Sequence, residues 1–251
     1  MDNQITTVFW ILSLVIVLFI IILAYLIAIP SRPSDVLKKI LNTLKLSKDI
    51  KQDNYPPYYW HKKSQFEKLP KSESDIIMLG DSITDEGEWT ELLENFNVRN
   101  RGISGDTTER ILYRLNTILE LNPRQVFLMV GINDLINTRQ SIAQVLEAYQ
   151  KILSEFREKT PNTEIFIQSV LPVNNQVYQY WQDNNNVLKF NTGLRELAKQ
   201  FNYQYIDLFY HLSDSQNQLD AQYTVDGLHL NGQAYLVWKS VIEKYITDIE
   251  R

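Results

Sequence analysis

The chain has 251 residues, 44% of them hydrophobic and 22% charged, with only 8 Gly and 8 Pro. That length fits one globular domain with appendages, and the composition excludes a collagen-like, low-complexity or wholly disordered chain. The absence of Cys excludes a disulfide framework, a thiolate metal site and a cysteine nucleophile, and three His (His61, His211, His229) are too few for a histidine-rich metal site. The net charge of -5 is unevenly spread: residues 31–63 hold eight Lys/Arg against three acids, whereas residues 64–251 hold 17 against 26. So acidic a body repels a phosphate backbone, and no basic stripe on it invites nucleic acid.

Val8 to Ile29 is a run of 22 residues without a charge. As a helix it is about 33 Å long, enough to cross a bilayer. It lacks the basic start of a signal peptide, is longer than such a segment's apolar region, and is followed by no small-x-small cleavage site. Residues 1–30 are therefore expected to be a retained single-pass membrane anchor. Residues 31–57 form a basic linker. Arg32, Lys38, Lys39, Lys45, Lys48 and Lys51 all follow the span and no Lys or Arg precedes it, which favours a cytoplasmic downstream domain, with a periplasmic or extracellular one as the alternative. Within the linker, Val36, Leu37, Ile40, Leu41 and Leu44 share one helical face with lysines off it. Such a helix suits an anionic lipid surface or a solvated connection. Asp53 to Pro57 ends it.

Residues 58–251 alternate short apolar runs with helical patterns, which predicts an α/β domain: a five-stranded parallel sheet covered on both faces. Strands are expected at 75–80, 97–102, 125–131, 164–170 and 203–208. Helices are expected at 88–96, 107–119, 141–159 and 187–201, with a last one from Gly232 to about Ile249. Asn122-Pro123 and Thr160-Pro161-Asn162 supply stops. Ligands of open parallel sheets sit at the carboxyl ends of the strands.

Those ends carry the chemistry. The first strand ends in Gly80-Asp81-Ser82, the second in Gly102-Ile103-Ser104-Gly105-Asp106, and the third in Gly131-Ile132-Asn133-Asp134. Asp226-Gly227-Leu228-His229 precedes the last helix and places an acid three residues ahead of a histidine. Acyl transfer by a serine needs a base, a group that orients the base, and donors for the oxyanion. Ser82 can be the nucleophile, His229 the base and Asp226 the orienter. The oxyanion donors would be the N–H groups of Ser82 and Gly102 and the side-chain amide of Asn133. Asp81 and Asp134 are read as groups that order loops by accepting backbone N–H bonds. His61 and His211 follow no suitable acid and are read as surface or packing residues. Tyr178, Tyr180 and Trp181, after the fourth strand, either wall a substrate pocket with Pro172 and Val173 or seal the core.

The blocks GDSIT (80–84), RGISGDTT (101–108), GIND (131–134) and DGLHLN (226–231) resemble, in order, those of the SGNH hydrolases, also called GDSL esterases/lipases. Within that family the chain is most similar to the branch with platelet-activating-factor acetylhydrolase-like proteins. The resemblance covers roughly residues 58 to 248. Ile83 stands in place of the Leu in the family's name, and Ser104 where that branch often has Gly. It implies a three-layer, flavodoxin-like fold and Ser82, Gly102, Asn133 and His229 as signature residues with Asp226 completing the triad. It also implies a mechanism without metal or organic cofactor, and a small-molecule, lipid or glycan ester as substrate. The expected activity is carboxylic-ester hydrolysis. O-acyl transfer to a hydroxyl acceptor and a non-catalytic binding role on the same fold are the alternatives.

Overall fold

The computed structural model describes residues 55–72, 75–138, 140–180 and 182–246. The predicted anchor, the basic linker as far as Asn54, and Trp181 lie outside them. Among the described residues no helix is long and apolar enough to cross a membrane.

Residues 56–251 cluster as one unit, opened by helix α1 (Pro57–Phe66). The prolines that end the linker pattern also start this helix, because the first helical position needs no N–H and favours the fixed φ of proline. Five parallel strands follow: β1 (Ile76–Gly80), β2 (Val98–Gly102), β3 (Gln125–Met129), β4 (Glu164–Gln168) and β5 (Gln204–Ile206). Their order is β2-β1-β3-β4-β5, that of flavodoxin-type doubly wound sheets. The central strands β1 and β3 are buried along their whole length, as expected of a parallel sheet with both faces covered. Each strand is shorter than its apolar run. Val130 and Val170 remain buried after the ladder has ended, since the chain turns into the core before it reaches the surface.

Right-handed crossovers place the β1–β2 connection on one face of the sheet and the later ones on the other, because the chain reverses direction across the sheet after β2. The helix contacts agree. On one side α4 (Thr108–Arg114) and α8 (Asn184–Phe201) both touch α7 (Ile142–Lys159). On the other, α3 (Trp89–Leu92) touches α10 (Gly232–Ile242). Helix α7 begins in a capping box between Ser141 and Gln144, and α8 begins three residues earlier than its apolar pattern because Asp183 caps it. The predicted helix 107–119 breaks at Leu115 into α4 and α5 (Asn116–Leu119). The last helix ends at Ile242 and passes into a 3₁₀ turn at Glu243–Tyr245.

The register is level where it matters for function. Gly80, at the end of β1, pairs with Gly102 of β2 and Met129 of β3, so the loops after these three strands open onto one rim.

Candidate active site

Ser82 opens α2 (Ser82–Asp85), a single helical turn capped by Asp81, whose Oδ1 accepts the Ile83 N–H at 3.1 Å. Aromatic residues hold this turn in place. Trp89 Nε1 donates to the Thr84 carbonyl at 2.8 Å, and Tyr235 of α10 donates to the Ile83 carbonyl at 2.8 Å. Since His229 lies three residues before α10, the same packing fixes the histidine relative to the serine. His229 Nε2 is 3.0 Å from Ser82 Oγ, and His229 Nδ1 is 2.6 Å from Asp226 Oδ2.

The other oxygen of Asp226 accepts the N–H groups of Leu228 at 2.9 Å and His229 at 2.8 Å. Burial works against its charge, but the His229 ring and these two N–H groups outweigh it and hold the carboxyl at about 2. The Tyr180 hydroxyl donates to the Asp226 carbonyl at 3.0 Å, so this ring braces the loop. The Tyr178 ring lies 5.0 Å from that of Tyr180, tilted by 60°, and is exposed, while Val173 is fully in the core.

The loop after β2 corrects one sequence expectation. The Gly102 N–H donates to Asn100 Oδ1 at 2.8 Å and is not free to meet an oxyanion. Gly102 is required for a different reason: a Cβ there would lie 2.2 Å from the Asp85 backbone nitrogen, so its absence lets α2 pack directly on β2. Three residues on, Gly105 has φ +81, a conformation that strains other L residues. Among the described residues, the N–H groups of Ser82 and Gly105 donate to no partner. Asn133, at the start of α6 (Ile132–Asn137), is nearly buried and spends one amide hydrogen on the Asp106 carbonyl at 3.0 Å. Its second amide hydrogen has no partner among the described residues.

Buried charges fasten this loop. Asp106 pairs with Arg114 at 2.8 Å with both side chains fully buried, and Arg114 also donates to the carbonyls of Gly80 at 3.2 Å and Arg101 at 2.8 Å. One guanidinium thus ties the ends of β1 and β2 to the loop. Asp134 accepts the Thr108 N–H at 3.0 Å and its hydroxyl at 2.6 Å, joining α6 to the start of α4. Burial raises the pKa of its carboxyl above the ordinary carboxylate value. Asp81 is pushed up to about 8, first by burial and then by the charges of Asp106 and Asp134.

Two further acids follow the nucleophile, and neither was singled out from the sequence. Asp85 receives Lys62 Nζ at 2.7 Å, the Tyr58 hydroxyl at 2.6 Å, and the N–H and hydroxyl of Ser104 at 3.2 and 3.0 Å. Glu86 Oε1 stands 3.9 Å from His229 Nε2. Their place beside Ser82 in GDSITDE was the available signal. His61 and His211 are exposed on α1 and on α9 (Phe209–Leu212). Among the described residues no group of three or more His, Asp or Glu is placed to hold a metal ion.

A hydroxyl, an imidazole and an ionised carboxylate in series, beside unpartnered donors, form an arrangement able to transfer an acyl group. Comparison with known proteins points the same way. The family described as "GDSL-like Lipase/Acylhydrolase family" matches residues 78–237. The platelet-activating factor acetylhydrolase IB subunit alpha2 of Rattus norvegicus is 30% identical over 172 residues, covering 65% of this chain and 72% of that protein. Among solved structures, a GDSL-like lipase from Bacteroides thetaiotaomicron superposes with a TM-score of 0.65 at 20% identity, over 74% of this chain and 96% of that one. An acetyl xylan esterase does so with a TM-score of 0.60 at 20% identity, over 69% and 100%. The two structures share the fold, and the family match, which spans most of the chain, settles descent: this chain belongs to the GDSL-like lipase/acylhydrolase family, a family of ester hydrolases.

Proposed function

We propose that the chain is a membrane-anchored serine esterase that cleaves carboxylic esters through an acyl-enzyme on Ser82. The observation that carries this reading is the unbroken relay from Ser82 Oγ through His229 to Asp226, at 3.0 and 2.6 Å. Ser82 Oγ attacks the ester carbonyl while His229 Nε2 takes its proton; a C–O bond forms and the carbonyl oxygen becomes an oxyanion. The N–H groups of Ser82 and Gly105 and the free amide hydrogen of Asn133 are the donors in reach of that loop, with Gly105 replacing Gly102 in the role. Nε2 then returns the proton to the departing alkoxide. Water, deprotonated by the same nitrogen, attacks the acyl group and releases the acid, restoring Ser82. Asp226 stays ionised throughout, holding Nδ1–H and stabilising the imidazolium.

The words acetylhydrolase and acetyl xylan esterase in relatives' names both specify acetyl, which makes short acyl esters the first substrates to try. The domain plan of anchor (1–30), basic linker (31–57) and hydrolase domain (58–251) and the cytoplasmic placement of the site are part of this proposal, supported by the charge-free run and the lysines that follow it. Full-length chain should hydrolyse p-nitrophenyl esters from acetate to palmitate with a maximum at short acyl groups. Ser82→Ala and His229→Ala should each lower kcat by at least about 10⁴-fold. Undiminished activity in Ser82→Ala would remove the serine from the mechanism. A reporter fused after Arg251 that is active only outside the cytoplasm would reverse the orientation.

A further inference from the structure

The carboxylates around Ser82 differ in how their charge is answered. Asp226 accepts the N–H groups of Leu228 and His229 on one oxygen and faces His229 Nδ1 with the other. Asp85 is enclosed, its side chain only 4% exposed, by Lys62, Tyr58 and Ser104. Asp81 is fully buried and accepts the Ile83 N–H. Glu86 alone among these four is left uncompensated. Its side chain is 47% exposed, and among the described residues its carboxylate has no hydrogen bond and no Lys or Arg partner. The one cationic or potentially cationic group it approaches is His229, at 3.9 Å from Nε2, the edge that faces the reaction.

That edge locates Glu86 relative to the substrate. In the reaction proposed above, on which this step rests, the ester's alcohol oxygen receives its proton from Nε2 and so comes within about 3 Å of it. With Glu86 Oε1 at 3.9 Å from the same nitrogen, the alcohol oxygen passes within about 7 Å of the carboxylate. We propose that Glu86 is a specificity-determining residue on the alcohol side of the site, selecting esters of uncharged, hydroxyl-bearing or cationic alcohols and rejecting alcohols that carry an anion beside the ester oxygen. A carboxylate accepts hydrogen bonds from hydroxyl groups and attracts a cation, and it repels a neighbouring carboxylate or phosphate. Because Glu86 is half-exposed, the discrimination is moderate and sensitive to salt.

The test compares three acetyl esters of similar shape on the full chain: methyl 3-acetoxybenzoate (neutral), 3-acetoxybenzoate (anionic) and 3-acetoxyphenyltrimethylammonium (cationic). Intrinsic reactivity cancels when kcat/KM ratios are compared between variants. In Glu86→Gln the anionic-to-neutral ratio should rise about three- to tenfold and the cationic-to-neutral ratio fall by a similar factor, both shifts shrinking at about 1 M salt. Glu86→Asp should recover part of the wild-type preference, which a merely structural role would not produce. Ratios unchanged in Glu86→Gln, with all three activities abolished by Ser82→Ala, overturn the role of Glu86 and leave the esterase reading intact. Hydrolysis surviving Ser82→Ala, or no hydrolysis by wild type, overturns the esterase reading and this inference with it.

Discussion

At the scale of single residues, two glycines three positions apart have different work. Gly102 serves packing, so Gly102→Ala drives a methyl group into the Asp85 backbone at 2.2 Å. It should destabilise the fold by about 2 kcal/mol or more in urea denaturation, with the folded fraction still turning over. Asn133→Ala removes a side-chain donor from the rim and should lower kcat by about 10² to 10³ with little change in KM. An Asn133→Ala enzyme with unchanged kcat would remove that amide from oxyanion binding. Asp81 supplies a prediction in pH. Its folded-state value of about 8 lies above the ordinary carboxylate range, so between about pH 4 and pH 8 the folded chain binds a proton that the unfolded chain has released. That contribution stabilises least at the alkaline end of the window. Unfolding free energy should fall from pH 5 to pH 8, and Asp81→Asn, neutral throughout, should remove on the order of a few kcal/mol of that fall. Identical slopes in the two proteins would place the titration elsewhere.

At the scale of elements, α1 reaches into the site through one carboxylate. Tyr58 and Lys62 of α1 meet Asp85 of α2, which also holds Ser104 in the loop that carries Gly105. The Tyr58 hydroxyl is pushed up to about 12, by burial first and by its bond to Asp85 next, so it remains a donor across the working pH range. Asp85→Ala should therefore loosen three elements together. Expected are a loss of about 1 to 3 kcal/mol in stability and, well below the melting temperature, a fall in kcat of at least about tenfold from the displaced loop. Tyr58→Phe, which removes one of the four contacts, should cost about 1 kcal/mol or less. A stability loss in Asp85→Ala without any change in kcat would make α1 a packing element only. None of this was readable from the sequence. The run PYYWHKKSQF has no strong apolar face, and its prolines read as an ending when they are also a beginning. The strands were legible because β1 is apolar throughout and β3 is apolar from Val126 on, and the rim was legible because its four blocks carry distinctive residues. The choice between Gly102 and Gly105 was not, because it depends on the Asn100 side chain folding back onto the Gly102 N–H, a contact that spacing does not reveal. Glu86 was equally hidden: an acid after a short helix looks like a solvated surface residue until the distance to His229 is known.

At the scale of the whole chain, the chemistry and the predicted attachment occupy separate stretches of sequence. Every residue assigned to the proposed reaction lies between Ser82 and His229, within the unit formed by residues 56–251, whereas the charge-free run ends at Ile29. Attachment by that run would restrict where the site meets its ester and leave the relay itself untouched. Deleting residues 8–29 should therefore move the chain from the membrane fraction to the soluble fraction on ultracentrifugation, because a span of this apolar length inserts effectively irreversibly when present. The shortened chain should hydrolyse a soluble acetyl ester with kcat/KM within about twofold of the full chain, since chemistry at Ser82 draws only on groups retained in it. Its rate on an ester embedded in vesicles should drop much further, through loss of the high local concentration that anchoring supplies. A shortened chain that still sediments with membranes would shift attachment to the basic linker or to the hydrolase domain itself. A shortened chain that is soluble but inactive on both esters would mean that residues before 55 shape the site directly, and the separation of roles along the sequence would fail.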